Sequence, residues 1–175
     1  MYPYLNKPYL HNGDGIFLII VGTFGNTKRA LVVSRRDGLY GFPGGKREGS
    51  ENFLEALRRE CMEEIGLSID RLGAPVRWLC SNRITNHFGS HAYTVEVTEE
   101  VFMEVYHTAS AHIASTKFSE LSGVASAAIF DVTPTPFTNA METMGAATVY
   151  EELIHLVHNT YMEGVEHDST EGFVY

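Results

Sequence analysis

The chain has 175 residues, a hydrophobic content of 44% and a formal net charge of −9. This length and composition predict one domain over residues 1–175, while the acidic balance argues against non-specific nucleic-acid binding, which depends on clustered Lys and Arg. Because no apolar run reaches bilayer length and no secretory signal is visible, we expect a soluble, cytoplasmic protein without a membrane partner.

Two apolar runs near the N-terminus predict a β-hairpin. Residues 15–22 (GIFLIIVG) and 29–35 (RALVVSR) are rich in β-branched residues, and Phe24, Gly25 and Asn26 lie between them. The following stretch, residues 37–45 (DGLYGFPGG), is a glycine-rich turn. Its closing Gly-Gly pair permits backbone angles closed to other residues, so a backbone carbonyl there can reach a metal.

The next segment predicts a helix with one apolar side. Ser50 is the expected N-cap, Glu51 is expected in the first turn, where the helix dipole favours an anion, and Gly66 is the expected stop. Residues spaced by three and four form a stripe that can pack inward. These residues are Leu54, Leu57, Cys61 and Ile65.

Three acids crowd an adjacent face of this helix. Glu60, Glu63 and Glu64 are related as i, i+3 and i+4, and their repulsion weakens an isolated helix by a few tenths of a kcal/mol per pair. A divalent cation would compensate them, and Mg²⁺ or Mn²⁺ combines carboxylates with waters and phosphate oxygens. For the spacing alone a solvated acidic face is the commoner outcome, so the wider pattern has to decide.

Later segments predict a mixed order of strands and helices. Strands are expected at 75–80, 91–97 and, buried, at 123–131, with helices at 99–110 and about 140–161; the acidic tail 164–175 is expected to be disordered.

Residues 45–67 (GKREGSENFLEALRRECMEEIGL) match the pattern G-x5-E-x7-R-E-U-x-E-E-x-G-U without gaps, where U is a bulky apolar residue. This is the Nudix box, and the chain resembles a Nudix hydrolase. The only position that departs from the usual residue type is Cys61. An aliphatic residue is usual there, and cysteine, a small hydrophobic residue, is a mild replacement. The resemblance implies an α/β fold, the Nudix α/β/α sandwich with a mixed sheet, and metal-dependent hydrolysis of a pyrophosphate linkage.

The resemblance also implies roles for the box residues. Glu60 and Glu64 would be metal ligands for Mg²⁺ or Mn²⁺ together with the backbone of Gly45. Glu63 would be a further ligand or the base that orients water, and these acids exchange roles between family members. The Glu51 and Arg59 side chains, the remaining members of the predicted catalytic set, would brace the loop against the helix.

Apart from the patterned positions of the box, five residues are candidates, and each has an ordinary alternative. Glu120 is either an additional metal ligand or a surface glutamate, while Arg35 and Lys46 either bind substrate phosphate or are solvated charges. His87 is either a phosphate contact or a polar loop residue. Phe24 offers base stacking, although packing on the core is the stronger expectation.

A looser similarity over residues 30–160 points to the inosine diphosphatase and snoRNA-decapping branch of the family. It rests on residues 37–45, 87–90, 119–123 and 144–147. This likeness implies a nucleoside diphosphate derivative as substrate, such as (d)IDP, or a 5′-capped RNA. The chain departs from the branch at Gly13-Asp14-Gly15, where a base-contacting histidine is expected.

Other functions remain open at this point. A Nudix-fold module could bind a nucleotide or ADP-ribose without hydrolysing it, but such modules usually lose box acids and all are present here. Among enzymes, ADP-ribose, NADH and dinucleoside polyphosphates are alternative substrates. The oligomeric state is also open, with a homodimer as the commonest arrangement.

Overall fold

The computed structural model describes residues 12–85, 88–116 and 124–132. Their elements, in chain order, are β1 (Gly15–Phe24), β2 (Thr27–Arg35), β3 (Tyr40–Gly41), β4 (Gly44–Lys46), α1 (Phe53–Ile65), a 3-10 helix (Ile69–Leu72), β5 (Arg77–Thr85), β6 (Phe88–Thr98), α2 (Glu99–Thr116) and β7 (Val124–Asp131). Within these ranges, no helix combines the length and the apolar character that a membrane crossing requires.

The strands form one sheet in which β1 lies at the centre. The order is β3-β2-β1-β6-β5, with β4 paired to β1 and β7 paired to β2. The β1–β6 pair is parallel and runs from Gly15–Ser90 to Thr23–Thr98, whereas the other pairs are antiparallel. The fold is therefore α/β with a mixed sheet, as the sequence predicted.

Both faces of the central strand are buried. Ile16, Leu18 and Ile20 pack toward α1 and α2, while Ile19 and Val21 belong to a second apolar cluster on the opposite face. A strand buried on both sides needs apolar residues at every position. This explains why the 15–22 run lacks alternation, and it confirms the predicted hairpin.

The box helix begins two residues later than predicted. Asn52, not Ser50, is the N-cap, and Glu51 lies outside the helix rather than in its first turn. The Asn52 side chain accepts a hydrogen bond from the Glu55 N–H at 2.9 Å, and the Glu55 carboxylate accepts the Asn52 N–H at 3.5 Å. This reciprocal capping box satisfies donors that Ser50 would leave unpaired, because Ser50 has Phe53 three residues later.

We expect Asn52→Ala to lower the free energy of unfolding by about 1 kcal/mol, because it removes a capping side chain that satisfies an orphan helix N–H. Urea denaturation measures this loss. Ser50→Ala is the matched control and should change the midpoint little. Equal losses in the two variants would contradict the assignment of the cap.

The end of α1 is fixed by a glycine and by a contact with α2. Gly66 has a φ of 64°, and its N–H donates to the Met62 carbonyl. A Cβ on Gly66 would lie 2.8 Å from the His112 ring, whose Nε2 bonds the Glu63 carbonyl at 2.9 Å. The predicted stop is therefore correct. The inward stripe consists of the buried Leu57, Cys61 and Ile65 and the half-buried Leu54.

Two later predictions need correction. The strand expected from residue 75 begins at Arg77, because Pro75 has no N–H to donate to a ladder, and it extends to Thr85. The strand β7 is not a buried one: Val124 is buried, but the rest is half-buried or exposed. In the described residues β7 pairs with β2 alone, so it is an edge strand. The predicted helix at 140–161 and the tail at 164–175 lie outside the described residues.

Candidate metal centre

The centre forms where the glycine-rich loop meets the carboxylates of α1. The Gly44 N–H donates to Glu64 Oε1 at 2.8 Å. A Cβ at position 45 would collide with the Glu60 carboxylate, so any other residue there would displace this carboxylate from its place against the loop. Strand β4 thus holds the backbone of Gly44 and Gly45 against two acids of the box.

Arg59 connects the loop to the helix. Its Nε and Nη2 donate to the two Glu51 carboxylate oxygens at 2.9 Å each, and Nη2 also donates to the Lys46 carbonyl at 2.9 Å. Its Nη1 donates to Glu60 Oε1 at 2.8 Å. The hydrogen bond from Arg59 holds the pKa of Glu51 below its ordinary value. A bidentate, charge-assisted pair of this kind gives directional rigidity, so Arg59 orients Glu60 as well as the loop.

The surroundings of Glu60 and Glu64 raise the pKa of both carboxyl groups. Burial, the largest cause, and the nearby Glu60 and Glu63 raise the pKa of Glu64 to about 8, while the Gly44 N–H and Arg35 oppose the shift. Burial also raises the pKa of Glu60, against the opposing effect of Arg59. Without a cation, the centre therefore disfavours the charged form of these two carboxyl groups.

These residues fit a divalent cation that also binds water and phosphate. Across residues 12–85, 88–116 and 124–132, no three His, Cys, Asp or Glu side chains converge into a complete metal cage. Mg²⁺ does not need one, because it usually takes one or two carboxylates and keeps several waters. The two carboxylates pressed against a side-chain-free backbone at Gly45 provide this kind of partial oxygen set.

We expect the metal-free protein to lose stability as pH rises from about 5 to 8. The unfolded Glu64 carboxyl releases its proton near the ordinary pKa of 4.5, whereas the folded one holds it to about 8. Within this interval the unfolded chain binds fewer protons, so the free energy of unfolding falls as pH increases. Thermal melts in EDTA should show the decline, and Glu64→Gln should flatten it. An equally steep decline in that variant would contradict the assignment.

The remaining predicted site residues fall into three groups. Arg35 lies close enough to influence Glu64 electrostatically, and the exposed Lys46 ends β4 beside the box. Phe24 is not brought to the centre: it lies at the far end of β1, roughly 30 Å from Gly15 at 3.3 Å per residue, where it packs edge-on against Phe102. His87 and Glu120 are outside the described residues.

A buried polar network beside the box was missed by the sequence reading. His91 Nε2 lies 2.8 Å from Asp14 Oδ2, and His91 Nδ1 lies 2.7 Å from the Ser81 hydroxyl, which accepts the Trp78 indole N–H at 2.8 Å. The Gly89 N–H donates to Asp14 Oδ1 at 2.9 Å. Since Asp14 and His91 are fully buried, this network belongs to the interior of the fold.

Asp14 also ties this network to the box loop. Its backbone carbonyl accepts the Arg47 N–H at 2.7 Å, and the Gly13 N–H donates to the Arg47 carbonyl at 3.1 Å. The fold and the centre together define an α/β protein whose helix-borne carboxylates are pressed against a glycine-rich loop.

Comparisons with known proteins assign the family. The NUDIX domain matches residues 15–135, which is more than half of the chain. The chain belongs to the Nudix family, and its complete box is that of a Nudix hydrolase. Enzymes of this family generally use divalent metal ions.

A curated relative and several solved structures are similar to the chain. The U8 snoRNA-decapping enzyme of Homalodisca vitripennis is 30% identical over an alignment of 114 positions, which covers 57% of this chain and 59% of that protein. A mutT/nudix family protein from Listeria innocua has a TM-score of 0.60 at 18% identity, covering 90% of this chain and 99% of that one. The NUDIX domain of Shewanella oneidensis NrtR, solved with ADP-ribose, has a TM-score of 0.53 at 13% identity, covering 85% and 88%. The structural likenesses show the fold alone.

Proposed function

We propose that the chain is a Mg²⁺- or Mn²⁺-dependent hydrolase of a pyrophosphate linkage in a nucleoside diphosphate derivative, either a small nucleotide such as (d)IDP or a 5′-capped RNA. The observation that carries the proposal is the position of Glu64. Its carboxylate is largely buried beside Glu60, it accepts the Gly44 N–H, and its pKa is raised to about 8. A bound cation would stabilise the charged form of such a carboxyl group.

In this proposal the box residues divide the work. Glu60 and Glu64, with the Gly45 backbone, hold the cation, and Glu63, which is 61% exposed, is a further ligand or the base that orients the attacking water. A cation held by these residues would supply an activated water and would stabilise negative charge that develops on the substrate. Arg59 keeps Glu60 in place through its bonds to Glu51 and Glu60.

Two basic side chains near the candidate metal centre are suited to binding the substrate phosphates. Arg35 lies near Glu64 and remains 46% exposed, although it pairs with Asp37 at 2.7 Å. Lys46 is exposed at the end of β4, next to the glycine that approaches Glu60. The capped-RNA alternative is supported by the decapping relative, of which this chain spans 59% of the length.

A substrate panel tests the function. Release of phosphate or nucleoside monophosphate is measured with Mg²⁺, Mn²⁺ or EDTA on inosine and guanosine di- and triphosphates, ADP-ribose, NADH, diadenosine tetraphosphate and capped RNA. We expect metal-dependent cleavage of an inosine nucleotide or of capped RNA well above the others. Cleavage of none, together with nucleotide binding by calorimetry, would overturn the proposal in favour of a binding module.

A further inference from the structure

One buried polar atom is left without a partner by the fold and by the proposed chemistry. Asn82 on β5 is 8% exposed, and its Nδ2 has no hydrogen-bond partner among the described residues. An unpaired buried amide donor costs about 1–3 kcal/mol, so protein interiors satisfy nearly all such groups. A bound molecule can supply the acceptor that this atom lacks.

The strand register places Asn82 in line with the end of the box loop. Lys46 pairs with Gly15, Gly15 pairs with Ser90, and Ser90 pairs with Asn82. Directly paired residues point to the same face of a sheet. The neighbouring residue Ile16 packs in the cluster that contains α1, so this row of four lies on the opposite face.

The length and composition of the row suit a nucleotide. From β4 to β5 it spans three strand spacings, about 14 Å, which is comparable with an extended nucleoside diphosphate from base to terminal phosphate. The row begins on β4 at Lys46, an exposed residue of the box, and ends on β5 at the buried Asn82. Between them Gly15 has no side chain and Ser90 a small one. Phe17, half-buried on the same face, offers an aromatic surface for stacking.

We propose that Asn82 determines base specificity by donating a hydrogen bond from Nδ2 to a carbonyl oxygen of the substrate's nucleobase. The inference rests on the proposed function, because the box and Lys46 fix the phosphate end of the row. A carbonyl-bearing base such as hypoxanthine satisfies the buried donor. Adenine presents an amino group at the same position, which meets Nδ2 donor to donor.

Calorimetric binding tests this assignment apart from turnover. Dissociation constants for inosine and adenosine diphosphate are measured in EDTA, where metal-dependent turnover is absent, with and without Asn82→Leu. We expect the preference for the inosine nucleotide to fall at least about tenfold, the effect of a lost buried hydrogen bond. Asn82→Asp, which replaces the donor by an acceptor, should shift the preference toward adenosine. Asn26→Leu, at an exposed turn position, is the matched control and should leave it unchanged.

The preference is the ratio of the two dissociation constants measured on the same protein sample. A partly unfolded fraction lowers the concentration of binding-competent protein equally for both nucleotides, so it does not change this ratio. An unchanged ratio in Asn82→Leu means that the amide holds only a water, and it overturns the proposal. Binding of neither nucleotide also overturns it. If the native chain hydrolyses no substrate while Asn82→Leu still changes the binding ratio, the proposed function fails and the assignment of Asn82 stands.

Discussion

Replacing Glu64 with Gln is expected to lower metal-dependent kcat/KM by at least about 100-fold, a loss typical of removing a group that stabilises transition-state charge. The amide keeps an oxygen to accept the Gly44 N–H, but it contributes no negative charge to a cation. The stabilisation by Mg²⁺ in thermal melts should therefore disappear together with activity, because a ligand that binds only the native state raises its stability.

The fold of this variant should remain intact in EDTA. At pH 8 its stability should equal or exceed that of the native chain, since the substitution removes a carboxyl group whose pKa is raised to about 8 by burial. Glu104→Gln makes the same chemical change at an exposed position of α2 and serves as control. Undiminished hydrolysis in Glu64→Gln would refute the proposed metal centre.

Removing either partner of the buried Asp14–His91 pair is expected to cost about 3–5 kcal/mol of unfolding free energy, because the remaining group is left buried without its partner. His91→Leu leaves the Asp14 carboxylate with the Gly89 N–H but without the imidazole. Asp14→Ala removes the carboxylate from His91 Nε2 and from the Gly89 N–H, while His91 keeps the Ser81 hydroxyl. Urea denaturation measures both variants, and the double substitution should cost less than the sum of the two.

The Lys28–Glu96 pair provides the comparison for this prediction. Its charged atoms are 2.9 Å apart, nearly the same distance as in the buried pair, but the Glu96 side chain is 57% exposed. Solvent screening limits such a pair to about 1 kcal/mol or less, so Glu96→Gln should be nearly neutral. If His91→Leu were equally mild, the buried pair would have no special structural role.

Local patterns in the sequence were sufficient to predict helices and strands, but not the contacts between them. The apolar stripe of α1 and its stop at Gly66 depend on residues three and four apart, and both predictions are correct. The start of the helix could also have been found, because Asn52 and Glu55 have the spacing of a capping box whereas Ser50 and Phe53 do not. Ser50 is the first residue of a cap-forming type in this segment, but Asn52 is the residue that has a capping-box partner.

Contacts between distant segments could not be predicted in this way. Asp14 and His91 are 77 residues apart, and each by itself is typical of a polar turn. The orphan amide of Asn82 depends on the β5–β6 register, which is irregular between Trp78 and Cys80. A one-residue shift in register reverses the face that each side chain occupies, so strand composition alone does not show which polar residues are buried.

The parallel pairing of β1 with β6 has a consequence for how the chain is made. Gly15 and Ser90 are 75 positions apart, so β1 cannot complete its hydrogen bonds until β6 has been added. Contacts across so long a separation form slowly, because the intervening chain must be ordered first. During that delay an apolar strand presents an unpaired edge to other nascent chains. The yield of native protein should therefore depend on translation rate and chaperone supply as well as on its final stability.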